Sequence, residues 1–395
     1  MKYVILRETT EATDRLGRPR GGTRAGTATI SSPVMPEVEV EELKPHRAAS
    51  LAHKKEILSV APVIPMKLIA PVRVQASAAP TASGPTWGVQ AVGADTSPFS
   101  GESIVMSVLD TGIDISHPAF TGVDIVRKNF TTESDDDEHG HGTHCAGTIF
   151  GRDVAGIRIG VAPGISKVLI GKVLGSGGGG SDQIVQAIQW AVNEGANVIS
   201  MSLGIDFPGY VKELETDGFP TELATSMALE GYRANVLLFE RLASFIAAQN
   251  AFIQAALLIA AAGNESQRDV DPKFEIAVSP PAVADGVLSV AAVGKTPQGF
   301  TVASFSNVGA RVSGPGVGIN SAKLGGGLTL MSGTSMATPH VAGVAALWAQ
   351  KLSVTGQLNG QLLADRLVGT AATTGMKAGF DPGDIGAGVV QAPQA

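Results

Sequence analysis

The chain has one cysteine, Cys145, in 395 residues. It can close no internal disulfide, and neither a paired-cysteine pattern nor a His-Glu-x-x-His pattern is present to suggest zinc chemistry. No run of about 18 apolar residues exists to span a membrane. The apolar stretch Tyr3-Val4-Ile5-Leu6 is too short for a secretory signal, which with the lone cysteine sets a cytoplasmic location as the default, leaving export by another route open. A net charge of -7 argues against nucleic acid as the main partner. Charged residues make up only 16% and aromatic residues 5% of the chain. What is abundant is apolar residue, 44%, and glycine, 49 positions. That composition predicts a large core in at most two or three domains, with many tight turns.

Three segments carry chemistry. In Gly333-Thr334-Ser335-Met336-Ala337-Thr338-Pro339-His340 the small residues allow a helix to begin at Ser335. Its positive end and orphan N–H groups then face a serine hydroxyl, a poor nucleophile without a base and without stabilisation of the charge it develops. Upstream, Val105-Met106-Ser107-Val108-Leu109-Asp110 reads as a buried strand delivering a carboxylate at its C-terminal end, where open α/β sheets place their chemistry. Taken alone, Asp110 fits an orienting acid or a helix-capping aspartate. Asp137 to Gly147 brings His139, His141 and His144 to the start of another small-residue helix, and one of the three is the candidate base. His46, His53, His117 and His340 have no ligand-like spacing.

The order Asp…His…Ser within these motifs resembles the subtilisin-like serine proteases (subtilases, peptidase family S8). The resemblance covers about residues 84–395. It implies an α/β fold of three layers, a mostly parallel central sheet flanked by helices, preceded by a small α+β prodomain-like segment over residues 1–83. It assigns Asp110 as orienting acid, His141 as base and Ser335 as nucleophile. His144 then reads as a packing histidine, and His139 as a residue lining the cleft. Leu257 to Glu265 resembles the family's Ala-Ala-Gly-Asn segment, which makes Asn264 the side-chain donor to the oxyanion. The implied activity is a serine endopeptidase acting through an acyl-enzyme on protein or peptide substrates. A dedicated maturation protease for one partner and a catalytically silent peptide-binding scaffold are the other readings.

By the same resemblance, Gly177, Gly178 and Gly179 form an exposed edge to which substrate adds as a strand. Ser202, Leu203 and Gly204 form the opposite edge, and with Ala261, Ala262 and Gly263 they wall the first side-chain pocket. No acid lies there, so cleavage after apolar or medium-sized residues is expected. Cys145 reads as a buried packing residue or as a thiol near enough to the base for mercurials to disable the enzyme. Glu133, Asp135, Asp136, Asp137 and Glu138 form an acidic run that suits a solvated loop, a subsite for basic side chains or a cation site.

The N-terminal segment is read as a strand at Lys2–Arg7, a loose stretch from about Thr9 to Pro36, a strand at Val38–Val40, a helix at Ala48–Lys55 and a strand at Ile57–Pro65. It resembles a reduced prodomain acting as an intramolecular inhibitor, with self-cleavage expected in the linker Ser77–Pro85. A helical insertion is expected at about 205–252, with Leu223, Met227, Tyr232, Val236, Phe239, Leu242 and Phe245 as its apolar spacing. No cofactor is required by this reading. Calcium is disfavoured because Phe150–Arg158, which matches the family's tight calcium segment in position, offers arginines in place of the expected asparagine. Gln361–Val368 is read as a helix and Asp384–Val390 as the closing segment.

Overall fold

The computed structural model describes residues 1–8, 35–72, 83–249 and 255–394. The loose stretch from Thr9 therefore lies outside the described residues except at its end, as does most of the linker Ser77–Pro85. In the N-terminal unit, β1 (Lys2–Arg7), β2 (Glu37–Glu42), α1 (Pro45–Ala52) and β3 (Ile57–Pro62) are followed by a fourth strand, β4 (Pro65–Leu68). The sheet is antiparallel in the order β2-β1-β3. β1 takes the centre because its run Val4-Ile5-Leu6 is fully buried. Helix α1 begins three residues before the expected one, since Pro45 occupies its first turn with φ already helical.

The remainder runs β5 (Gly84–Pro85), α2 (Trp87–Ala91), β6 (Val105–Asp110), β7 (Asp124–Asn129), α3 (His141–Phe150), β8 (Ile157–Arg158), β9 (Lys167–Lys172) and β10 (Gly179–Gly180). Next come α4 (Ser181–Asn193), β11 (Val198–Met201), β12 (Leu203–Ile205), α5 (Phe207–Thr216), α6 (Thr221–Gln249), β13 (Leu257–Ala261), β14 (Val287–Thr296) and β15 (Gly299–Val302). The chain closes with β16 (Val312–Pro315), β17 (Ile319–Ala322), β18 (Leu328–Met331), α7 (Thr334–Val354), α8 (Gly360–Thr370) and α9 (Pro382–Ile385).

The central sheet has the order β15-β14-β13-β11-β6-β9-β7, with β16 also on β14. Every pairing in it is parallel except β14 with β15. From β6 the chain passes to β7 and β9 on one side and then to β11, β13 and β14 on the other. The reversal opens a crevice at the C-terminal ends of β6 and β11.

Alternate residues of the strands supply two cores, as buried parallel strands require. Met106, Val108, Val168, Ile170 and Ile259 pack with α3 and α7 on one face. Leu109, Leu169, Ile199, Met201 and Leu258 pack with α4, α5 and α6 on the other, where Val4, Leu6, Ala61, Ile64 and Met66 of the N-terminal unit join them. The architecture is thus the expected mostly parallel sheet between helices, preceded by a small antiparallel sheet.

Helix α6 falls within the expected insertion, and of the expected apolar positions Phe239 and Leu242 are buried, but the N-terminal part of its buried face is formed by small residues. Ala224, Ala228, Gly231, Asn235, Leu238, Leu242 and Ile246 are buried, whereas Leu223 is 49% exposed. The reason is close approach. A Cβ on Gly231 would meet Ile64 Cγ2 at 3.3 Å and Pro62 Cγ at 3.4 Å, and the Asn235 amide donates to the Pro62 carbonyl at 2.8 Å. The helix is a seat for the chain's own N-terminal unit. Helix α8 contains the expected Gln361–Val368 and is capped by Asn359, whose side chain accepts from the Leu362 N–H. No helix among the described residues is long and apolar enough to cross a membrane.

Candidate active site

Strand β6 ends at Asp110, and the N-terminus of α3 abuts that end. A Cβ on Gly142 would collide with the Gly112 carbonyl oxygen, so only glycine lets the helix come so close. The Gly142 N–H donates to Thr111 Oγ1 at 3.0 Å. The result is an Asp110 Oδ1 to His141 Nδ1 distance of 2.8 Å, with both side chains at most 1% exposed. Burial works against a charged His141, but the adjacent Asp110 carboxylate outweighs it and holds the imidazole pKa well above its usual 6.5. Nε2 of His141 is buried and has no hydrogen-bond partner among the described residues.

Asp137, one residue of the acidic run, fixes this arrangement. Its two oxygens accept from the N–H groups of His139, Gly140 and Thr143 and from the hydroxyls of Thr111 and Thr143, over 2.6–3.0 Å. It ties the first turn of the base's helix to the strand of the acid. Glu133 instead accepts from the N–H and hydroxyl of Ser176 at 2.8 and 2.6 Å, anchoring the glycine-rich edge. Those Ser176 bonds hold its carboxyl below the ordinary range. The sequence pattern leaves the run undivided, and Asp137, three residues before the N-cap Gly140, carries no capping signal.

Ser335 lies in the first turn of α7 and is fully buried. Pro339, inside the helix, has no N–H to give the Ser335 carbonyl four residues earlier. That carbonyl instead accepts from Ser202 Oγ at 3.2 Å and faces Cys145 Sγ at 3.4 Å. Cys145 also lies 3.7 Å from His141 Nδ1, and burial raises its thiol pKa, so it is a neutral neighbour of the pair. Among the described residues, the donors close enough to share an ion are Asp110, His141 and Cys145, and the first two already engage each other. Asn264 is aimed by its own oxygen, which accepts from Thr334 N and Oγ1, both at 2.9 Å.

The cleft is filled by the chain itself. β4 is antiparallel to β10 on one side and to β12 on the other. Gly179 pairs with Met66 and Gly180 with Pro65. Gly178 has φ +85°, and a Cβ there would lie 2.5 Å from the Met66 oxygen, whereas Gly177 meets nothing within 4 Å. On the other edge Leu203 pairs with Leu68 and Gly204 with Lys67, and the Ile69 N–H donates to the Ser202 oxygen at 3.4 Å. The Ser335 hydroxyl donates to the Ile69 carbonyl at 2.7 Å and the Asn264 amide to the Ala70 carbonyl at 3.0 Å. Ile69 is 2% exposed, its side chain near Gly204, which also faces Ser279. Ala261 and Ala262 are fully buried behind this site. The Gly263 N–H bonds Thr334 Oγ1 at 3.2 Å, which places that loop as the support of Asn264.

The remaining histidines separate by environment. His144 Nε2 donates to the carbonyls of Ile319 and Thr329, and burial first, then His141, pushes its pKa down to about 3. His340 bonds the Met336 carbonyl, and burial pushes it down to about 4. Both are neutral packing groups. His139 is exposed, its ring edge-on to His141 at 6.2 Å.

Residues 101–384 match the sequence profile of the subtilase family. The chain is 39% identical to a subtilisin-like protease of Coccidioides posadasii over 257 residues, 62% of this chain and 53% of the relative. It is 37% identical to a thermostable alkaline protease of Halalkalibacterium halodurans over 268 residues, 66% of this chain and 62% of the relative. With Subtilisin-like protease 7 of Arthroderma gypseum the identity is 34% over 302 residues, 72% and 62% of the two chains. The chain thus spans between about half and three fifths of the length of these curated relatives. A profile match over most of the chain, joined to the paired Asp110 and His141 beside Ser335, places this protein in the subtilase family.

Proposed function

We propose that the chain is a serine endopeptidase made as a zymogen that cuts itself between Ile69 and Ala70. The observation that carries this reading is β4, held as a strand between two edges with the Ile69 carbonyl on the Ser335 hydroxyl. In the reaction the Ser335 hydroxyl turns from that carbonyl oxygen to give its proton to His141 Nε2, and Oγ bonds the carbonyl carbon. The oxyanion forming on the Ile69 carbonyl is stabilised by the Ser335 N–H and by the Asn264 amide, which must first leave the neighbouring Ala70 carbonyl that it bonds before the reaction. Collapse breaks the C–N bond, the leaving amine takes the proton from His141, and water hydrolyses the acyl-enzyme by the same route. Asp110 accepts the Nδ1–H hydrogen bond, which keeps that proton on Nδ1 and leaves Nε2 free to accept.

Residues 1–69 would then remain as an inhibitor, seated on α4 and α6 and in the cleft. Main-chain pairing along β4 asks little of sequence, so selectivity falls to side chains, among them the buried Met66 and Ile69. This supports cleavage after apolar residues of medium size. Intact mass and N-terminal sequencing of active protein test the reading: a new N-terminus at Ala70 is expected. An uncut chain in a fully active sample, or a terminus within Ser77–Pro85, would sink the proposed bond. A fluorophosphonate probe should label Ser335, and absence of labelling in the processed protein would return the scaffold reading.

A further inference from the structure

The strand in the cleft carries one charged side chain at its centre, and that charge is met. Lys67 Nζ lies 3.5 Å from Asp206 Oδ1 and 3.5 Å from Glu265 Oε1. Neither acid depends on the lysine for its place. Asp206 caps α5, its side chain accepting from the Gly209 N–H, and its own N–H donates to the Pro65 carbonyl at 3.0 Å. Glu265 follows Asn264, and its second oxygen accepts from Asn307 Nδ2 at 2.8 Å. Two carboxylates from separate loops, each positioned by other bonds, thus converge on one point beside the cleft.

We infer that Asp206 and Glu265 form a subsite selecting a basic residue, lysine or arginine, at the third position before the cleaved bond. The inference rests on the proposed cleavage register, in which Ile69 precedes the bond and Lys67 stands two residues before Ile69. Met66 on β4 and Ile69 just after it are buried, while the Lys67 side chain, 36% exposed, turns outward to the two acids. Because Lys67 pairs through its backbone with Gly204, any substrate strand in the same register brings its third side chain to the same place. The subsite would serve twice: it pins the chain's own segment during processing and afterwards favours peptides of matching charge. The chain's net charge of -7 favours approach of basic peptides as well.

The test uses protein that has processed itself and from which residues 1–69 have been removed, and internally quenched peptides copying Pro65 to Pro71 with Lys, Gln or Glu at the Lys67 position. Partly exposed ion pairs are weak and screened, so kcat/KM for the Lys peptide should exceed that for Gln by about three- to ten-fold. Glu should be slower again, and the spread should shrink at roughly 0.5 M salt. In the double variant Asp206→Asn, Glu265→Gln the Lys-to-Gln ratio should fall to about one, a ratio within one protein that overall losses of activity do not move. Equal rates for the three peptides in the unaltered protein, or a ratio that survives the double variant, would overturn the subsite while leaving the peptidase reading standing. Cleavage of no peptide at all would overturn that reading, and this one with it. Should the double variant not fold, the salt dependence in the unaltered protein decides.

Discussion

Two helices meet the cleft on opposite terms. Every residue of α3 is buried, and its glycines leave no room for a methyl: a Cβ on Gly142 would strike the Gly112 carbonyl oxygen, and one on Gly147 would strike Ser321 Oγ and Ala322. Helix α6, on the other face of the sheet, is amphipathic, with Leu229 61% and Leu237 47% exposed, and its contacts with the N-terminal unit are with side-chain atoms and one carbonyl. The first cannot move without moving His141. The second shares its buried residues Leu238, Phe239, Leu242 and Ile246 with a core that residues of the N-terminal unit also enter. The helix of the base is thus held by contacts that leave no room for a methyl, whereas the seat of the N-terminal unit is made with side-chain atoms that can shift.

The largest effect should come from removing the nucleophile on the rigid side. Ser335→Ala is expected to cut turnover by roughly 10⁴-fold or more and to leave the chain at full length by mass, with its thermal unfolding unchanged. Appearance of the cut product in that variant would break the link between Ser335 and processing. Next, one substitution placed in both helices compares them directly. Gly142→Ala drives a methyl into the Gly112 carbonyl and should destabilise by roughly 2–4 kcal/mol, with loss of activity. Gly231→Ala meets the Tyr210 ring at 3.1 Å, a contact that can yield, and gains helix propensity, so its effect should stay within about 1 kcal/mol. Equal losses in denaturant melts would erase the distinction.

Titration separates the two sides of neutrality. His144 and His340 refuse protons in the folded state that the unfolded chain accepts below about 6.5, so stability should fall as pH drops from there toward 4. At pH 5 the loss should be on the order of 1–2 kcal/mol for each. His141 works in the other window. Its raised pKa stabilises the fold below that value, the gain fading as pH rises through it, while catalysis needs the neutral ring. Peptidase activity should therefore rise with pH along a limb whose midpoint lies above 6.5, and a midpoint below 6.5 would contradict the Asp110 coupling. The smallest effect is expected from chelation. Arg152 donates to the carbonyls of Phe150, Pro163 and Ile165, so a guanidinium already serves oxygens in the segment where relatives of this family bind calcium. EGTA should shift the melting temperature by less than about 1 °C, and a drop of several degrees would refute this.

Much of the site can be read from sequence because its motifs are local. Asp110, His141 and Ser335 each stand in a short segment whose small or apolar neighbours are themselves required by the packing, so residue type and position are legible together. The seat for the N-terminal unit is harder to see. On α6 some of the large residues that suggest a buried face, such as Leu223, lie in solvent, and contact with the N-terminal unit is made by Gly231 and Asn235. Asp137 and Glu133 look alike in an acidic run until their partners separate them.

The sequence by itself determined the chemistry: an acid, a base, a nucleophile and an amide donor, in one order and in segments that specify strand ends and helix starts. Only the tertiary structure decided which bond of the chain lies at Ser335, and that Lys67 faces Asp206 and Glu265. Pairing of β4 with β10 and β12 runs through backbone groups that every residue carries, so its register leaves no mark in the sequence. The two acids come from loops far apart in the chain, and only the closing of the sheet around β11 and β13 brings them to one charge.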